Sequence, residues 1–189
     1  QPIEAHEPPT LPDAAWAFTA VDRFLLAKLA ERNLRPVSDA DRAAWLRRVT
    51  FDLVGLPPSI DEIDSFVSDD SPGAHERIVD RLLASPHYGE RWGRHWLDVA
   101  RFAESSGGGR SLIFPDAWRY RDYVIASFNG DKPLDRFITE QLAGDLLPNA
   151  TQHQKLATTF NRLHRQTNEG GSIDEEFRQN PRHHRLFLE

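Results

Sequence analysis

Apolar residues return at helical spacing along most of this chain, and no stretch shows a sustained apolar/polar alternation. Val21, Phe24, Leu25, Lys28 and Leu29 follow i, i+3, i+4, i+7 spacing and predict an amphipathic helix over about 19–32. Ser38 opens a second predicted helix, with Trp45, Leu46, Val49 and Leu53 inward, which Gly55 and Pro57-Pro58 stop. Ser59 with Glu62 makes a capping box for a short helix near 60–68. Ser71 followed by Pro72 reads as an N-cap with Pro at the first helical position, starting a helix over about 72–84. Pro86 reads as an interruption, with the next helix over about 89–104. Asp116 is expected to cap a helix over about 117–129, Pro133 to open one over about 133–147, and Thr151 one over about 152–164. The fold class is therefore all-α, a compact multi-helix domain of about eight helices joined mostly by short loops.

Composition excludes several classes. The chain has no Cys, which removes disulfides, thiolate metal sites, a Cys nucleophile and a covalent c-type haem anchor. No apolar run approaches the roughly 18 residues that span a bilayer. The net charge of −6 is concentrated in residues 38–80, which carry ten Asp/Glu against four Arg. Without a basic stripe, nucleic acid is not an expected partner, because phosphate contacts need clustered cations. Residues 1–18 read as a Pro-rich linker, 19–178 as a single helical domain and 179–189 as an atypical tail. Met is absent even at position 1, which reads as a mature or excised fragment.

Two segments carry candidate chemistry. In GERWGRHWLDVARFAE (89–104), Trp92, Trp96, Val99 and Ala103 share one helical face, with His95 beside them. Arg94, Asp98 and Arg101 form a separate stripe. His95 with a nearby carboxylate has the makings of a general base at a core edge, whereas the plainer reading is a capping histidine beside an ordinary helical salt bridge. The two Trp residues could stack a sugar ring, but an inward face favours core. The second segment gathers Asn161, Arg162, His164, Asn168 and Glu169 just before Gly170-Gly171. Polar side chains of several kinds around a Gly turn suit a ligand- or partner-binding loop, because Gly lets backbone and ligand approach closely. The Gly107–Gly109 run, in a segment expected to be a mobile loop, lacks the Lys and the strand-loop-helix setting of a phosphate loop. No metal-binding spacing of His, Asp or Glu is present, and His183-His184 are adjacent, which points their rings apart.

Several blocks carry a family resemblance: VDRFLLAKLAERNLRP (21–36), RRVTFDLVGLPPSIDEIDSF (47–66), RIVDRLLASPHYGERWGRHWLDVARFAES (77–105), WRYRDYVIASFNGDKPLDRFITEQLAGDLLP (118–148) and FNRLHRQTNEGGSIDEEFR (160–178). In order and spacing they resemble the helical domain of unknown function of planctomycete-type cytochrome-associated proteins. The resemblance implies a secreted or periplasmic location, a neighbouring c-type haem domain and a setting of polysaccharide degradation. It carries no settled activity. Haem c is implied only for other domains of the parent protein, with no cofactor in this chain. Matching blocks mark His95, Asp98, Arg101, Asn161, Arg162, His164, Glu169 and Gly170 as the residues to follow.

The leading expectation is an accessory helical domain whose partners are the neighbouring domains of its parent and polysaccharide. The alternatives are a glycan-active hydrolase or oxidoreductase using His/carboxylate acid-base chemistry, and a structural spacer between a haem-c domain and a downstream domain.

Overall fold

A computed structural model describes residues 4, 6–11, 15–105 and 113–163. Among these the chain is helical: α1 (Ala20–Glu31), α2 (Arg42–Val54), α3 (Ile60–Val67), α4 (Ala74–Leu83), α5 (Pro86–Val99), α6 (Trp118–Asn129), α7 (Leu134–Ala143) and α8 (Gln152–Ala157), with 3-10 turns at Gly144–Leu146 and Thr158–Arg162. The one extended pairing among the described residues is an isolated antiparallel bridge between Ser105 and Ile113. The chain divides into two compact units, Gln1–Asp41 and Arg42–Glu189. In the first, Thr19 and Asp22 form a reciprocal capping box at the start of α1.

Local chemistry explains most helix ends in the second unit. Ser59–Glu62 and Thr151–Gln154 are capping boxes that satisfy the first orphan N–H groups of α3 and α8. Four starts differ from the sequence reading. The second helix begins at Arg42 rather than Ser38; the Arg42 guanidinium donates to the carbonyls of Phe66 and Asp69, pinning this end of α2 to the C-terminus of α3. Ser71 does not cap α4, because its hydroxyl is engaged with Asp69 and Arg77, and Gly73 at φ 76° takes the cap position. Pro86 opens α5 instead of interrupting it: Ser85 caps, and Pro86 occupies the first turn, where a missing N–H costs nothing. Asp116 spends its carboxylate on Arg119 at 3.0 Å, and Ala117 heads α6 without a side-chain cap.

Two clusters form the core of this unit. Leu46, Phe66 and Ala74 join α2, α3 and α4, with Trp45, Val49, Ile63 and Ile78 packed around them. Leu97, Tyr120, Tyr123, Val124, Phe137 and Ala157 join α5 to α8. Close approach of α5 to α6 depends on two glycines one turn apart. A Cβ on Gly89 would lie 2.5 Å from the Ile125 carbonyl oxygen, and one on Gly93 would lie 3.4 Å from Val124. Asn129, at the end of α6, locks the same contact by accepting from Gly89 N at 2.7 Å and donating to the Pro86 carbonyl at 3.1 Å.

These glycines correct the inward face expected for α5. Gly89, Gly93 and Leu97 are buried, whereas Val99 is 74% exposed and Ala103 lies outside the helix. The helix also ends earlier than expected. Arg101 adopts φ 59°, and Phe102 N donates back to the Leu97 carbonyl at 2.9 Å, a left-handed C-terminal closure. α7 stops at Ala143, whose backbone at φ −148° leaves the helical region, and Gly144 then packs so tightly against the Gln154 carbonyl that no side chain would fit there.

Candidate functional site

The most heavily partnered side chain in the described structure is Glu140 on α7, 1% exposed. Its Oε2 accepts from Lys132 Nζ at 2.5 Å and from the Tyr123 hydroxyl at 3.0 Å. Its Oε1 accepts from Arg136 Nε at 3.0 Å and Gln154 Nε2 at 3.3 Å. One carboxylate thus ties together α6, the α6–α7 turn, α7 and α8. Burial pushes its pKa up, but the donors from Lys132, Arg136, Tyr123 and Gln154 outweigh it and hold the group at about 2. Such a carboxylate stays ionised at neutral pH, so it organises structure and does not shuttle protons.

The neighbouring residue Gln141 is also fully buried and forms a second junction. Its Oε1 accepts from Trp96 Nε1 at 2.9 Å and from the Tyr120 hydroxyl at 2.5 Å. Burial raises Tyr120 to about 12 and pushes Tyr123 up further, the latter also through the Glu140 charge beside it. The Trp96 ring lies edge-on to Phe137 at 5.0 Å and tilted against Phe160 at 6.0 Å, which makes it core and not a sugar platform.

The expected site residues fall into three groups. Asn161 lies in the turn after α8, where its Nδ2 donates to the Gln141 and Leu142 carbonyls at 3.2 and 3.3 Å, clasping that turn to the end of α7. Arg162 follows it, exposed. On α5, His95 is exposed with its ring 5.5 Å from Trp92, and Asp98 pairs with Arg94 at 3.0 Å instead of with His95. The left-handed Arg101 falls off the α5 stripe. His164, Asn168, Glu169, Gly170 and the Gly107–Gly109 run lie outside the described residues. A histidine–carboxylate pair does form on α5, but it is His87 with Glu90 at 2.8 Å, both half-exposed in its first turn.

Sequence reasoning missed Glu140. Only part of the signal was present: Arg136 and Glu140 stand four residues apart on one helix, whereas Lys132 reaches the carboxylate from the turn before Pro133. Beside this junction, the outer face of α7 is apolar. Leu134, Ile138 and Leu142 recur at the same interval and Leu146 follows in the 3-10 turn, with 66, 39, 53 and 80% of their surface exposed. Asn161 anchors to this face through Leu142.

Among the described residues no group of three or more His, Asp or Glu is placed to hold a metal ion, and no helix is long and apolar enough to cross a membrane. No curated protein and no solved structure matches the chain. A family model does match, over residues 20–186, from the start of α1 past the last described turn. The chain belongs to the PSCyt2 family, described as a protein of unknown function (DUF1549).

Proposed function

We propose that the chain is an accessory helical module of a secreted or periplasmic multidomain protein connected with polysaccharide degradation, and that it works by docking onto a neighbouring domain of its parent through the outer face of α7. The observation that carries this reading is the exposed stripe Leu134, Ile138, Leu142 and Leu146. Single exposed apolar residues are ordinary on a soluble surface, but three in register along one helix, with a fourth exposed just beyond its end, favour an interaction surface. The buried Glu140 and Gln141 junctions on the other side of α7 hold that helix rigid, and a preorganised face binds at lower entropic cost. Asn161 fits the same reading, since it fastens the following turn to the end of the stripe. Cytochrome association enters as a property of the neighbouring domain and needs no cofactor here.

The test compares the parent protein with its Ile138→Asp/Leu142→Asp variant by limited proteolysis and small-angle scattering. Domains that separate in the variant, with the helical module still folded, support docking. An unchanged domain arrangement would remove the stripe from the interface.

A further inference from the structure

A different face of the molecule carries unpaired positive charge. On α2, Arg47 and Arg48 lie one turn from Phe51 and Asp52, and Arg91 of α5 crosses over the end of the same helix. Gly55, left-handed at φ 74°, lies under that crossing: a Cβ there would come 2.8 Å from Arg91 Cδ. Together with Trp45 these side chains line an open groove of about 720 Å³. On α4, α6 and α7 each arginine (Arg77, Arg81, Arg119, Arg121 and Arg136) is engaged by a carboxylate, as is Arg94 on α5. Among the described residues none of the three groove arginines has such a partner, and Asp52 is the one carboxylate in the lining.

Two of the three guanidinium groups are held by their surroundings, while Arg48 is exposed. Arg47 lies over the Phe51 ring at 4.8 Å, so its planar face is occupied while its N–H edges are not. Arg91 Nε is buried with no hydrogen-bond acceptor among the protein's own atoms. A buried charged donor without an acceptor is rare and unfavourable, so an anion that entered the groove and drew this edge of Arg91 outward would relieve it. The Nε–H and Nη–H edge of arginine presents two parallel donors that match the two oxygens of an oxyanion.

We propose that the groove between α2 and α5 is an anion-binding site that takes a carboxylate or sulfate group, with Arg91 and Arg48 as its principal donors and Trp45 as an apolar wall. Being open, it suits an acidic group projecting from a larger ligand. It is independent of the α7 face, and neither proposal depends on the other.

The experiment is a titration of the protein with sodium sulfate and with citrate at constant ionic strength, following the arginine Nε–H and tryptophan indole N–H signals by NMR. Saturable movement of the Arg91 Nε–H and Trp45 indole signals is expected, with Kd raised at least fivefold by Arg48→Gln and by Arg91→Gln. Arg94→Gln, on an exposed ion pair of α5, is expected to leave Kd unchanged. Response to citrate alone assigns a carboxylate, response to sulfate alone a sulfate, and response to both the shared oxyanion chemistry. If Arg91→Gln proves unfolded, the exposed Arg48 carries the comparison. No saturable movement in the wild type, or an equal Kd in Arg48→Gln, overturns the proposal.

Discussion

Lys132 Nζ lies 2.5 Å from Glu140 Oε2, across two turns of chain that lead from the end of α6 into the middle of α7. The ammonium also rests 4.5 Å above the Tyr123 ring, so the charge pair is walled on one side by an aromatic face. Removing Lys132 takes away one charge-assisted hydrogen bond but leaves Glu140 with Arg136, Tyr123 and Gln154. Lys132→Met is therefore expected to destabilise the protein by about 2 kcal/mol, as read from urea unfolding.

Acid sensitivity follows from the same carboxylate. Glu140 has an ordinary value of 4.5 and is held at about 2 in the fold, so the unfolded chain takes up its proton first as pH falls. Its contribution is complete above pH 4.5 and disappears progressively toward pH 2. The size is about 3 kcal/mol at most, at roughly 1.4 kcal/mol per pKa unit. Unfolding measured from pH 6 downward should fall less steeply in Glu140→Gln than in the wild type. Equal slopes would show that Glu140 does not carry the acid transition.

At the other end of the scale, Tyr120 is raised by burial from 10.0 to about 12. Its stabilising contribution is present below pH 10 and is lost as pH climbs through 12, because the unfolded chain ionises first. Absorbance titration should show the Tyr120 phenolate forming only near the alkaline unfolding transition. Its appearance well below that transition would mean the ring is not held in the core.

The two glycines of α5 should behave differently. Gly89→Ala forces a methyl onto the Ile125 carbonyl and Asn129, and is expected to cost about 2–3 kcal/mol, a fall of roughly 5–10 °C in Tm. Gly93→Ala meets Val124 at 3.4 Å, an ordinary contact, and gains up to about 1 kcal/mol in helix propensity. It should be near neutral. Calorimetry on both variants checks the packing of α5 against α6, and equal losses would contradict it.

On the outer face of α7, Leu134→Asp, at a position 66% exposed in the first turn, is expected to change the stability of the isolated module by no more than about 0.5 kcal/mol, the range of ordinary surface substitutions. A loss of several kcal/mol would show that the stripe belongs to the module's own core.

How far these features could be read from the residues depends on the range of the forces involved. Ser59–Glu62 is a contact over three residues, and both the capping box and the helix after it were visible in the chain. The inward turn of Leu46 also followed from its spacing. Periodicity failed on α5, because it counts large side chains, whereas the buried stripe there begins with two residues that have none. The site candidates divide in the same way. Asn161 stands out in the chain as a polar residue ahead of a Gly pair, but its clasp on the Leu142 carbonyl needs α7 to be in place. The Glu140 junction was passed over because TEQ inside a helix ordinarily faces water.

Helix identity and the capping-box starts of α3 and α8 belong to the chain alone, since propensity and caps act over three or four residues and need no partner. Which side of each helix is covered belongs to the assembled fold. Glu140 is reached by Tyr123 from 17 residues away, and Gln141 by Trp96 from 45. A buried carboxylate is tolerable only once its donors converge from several elements, and that convergence exists nowhere in the linear order of residues. The Arg91 groove has the same origin: α2 supplies two exposed arginines and α5 a partly buried one, and their packing leaves three guanidiniums around one space.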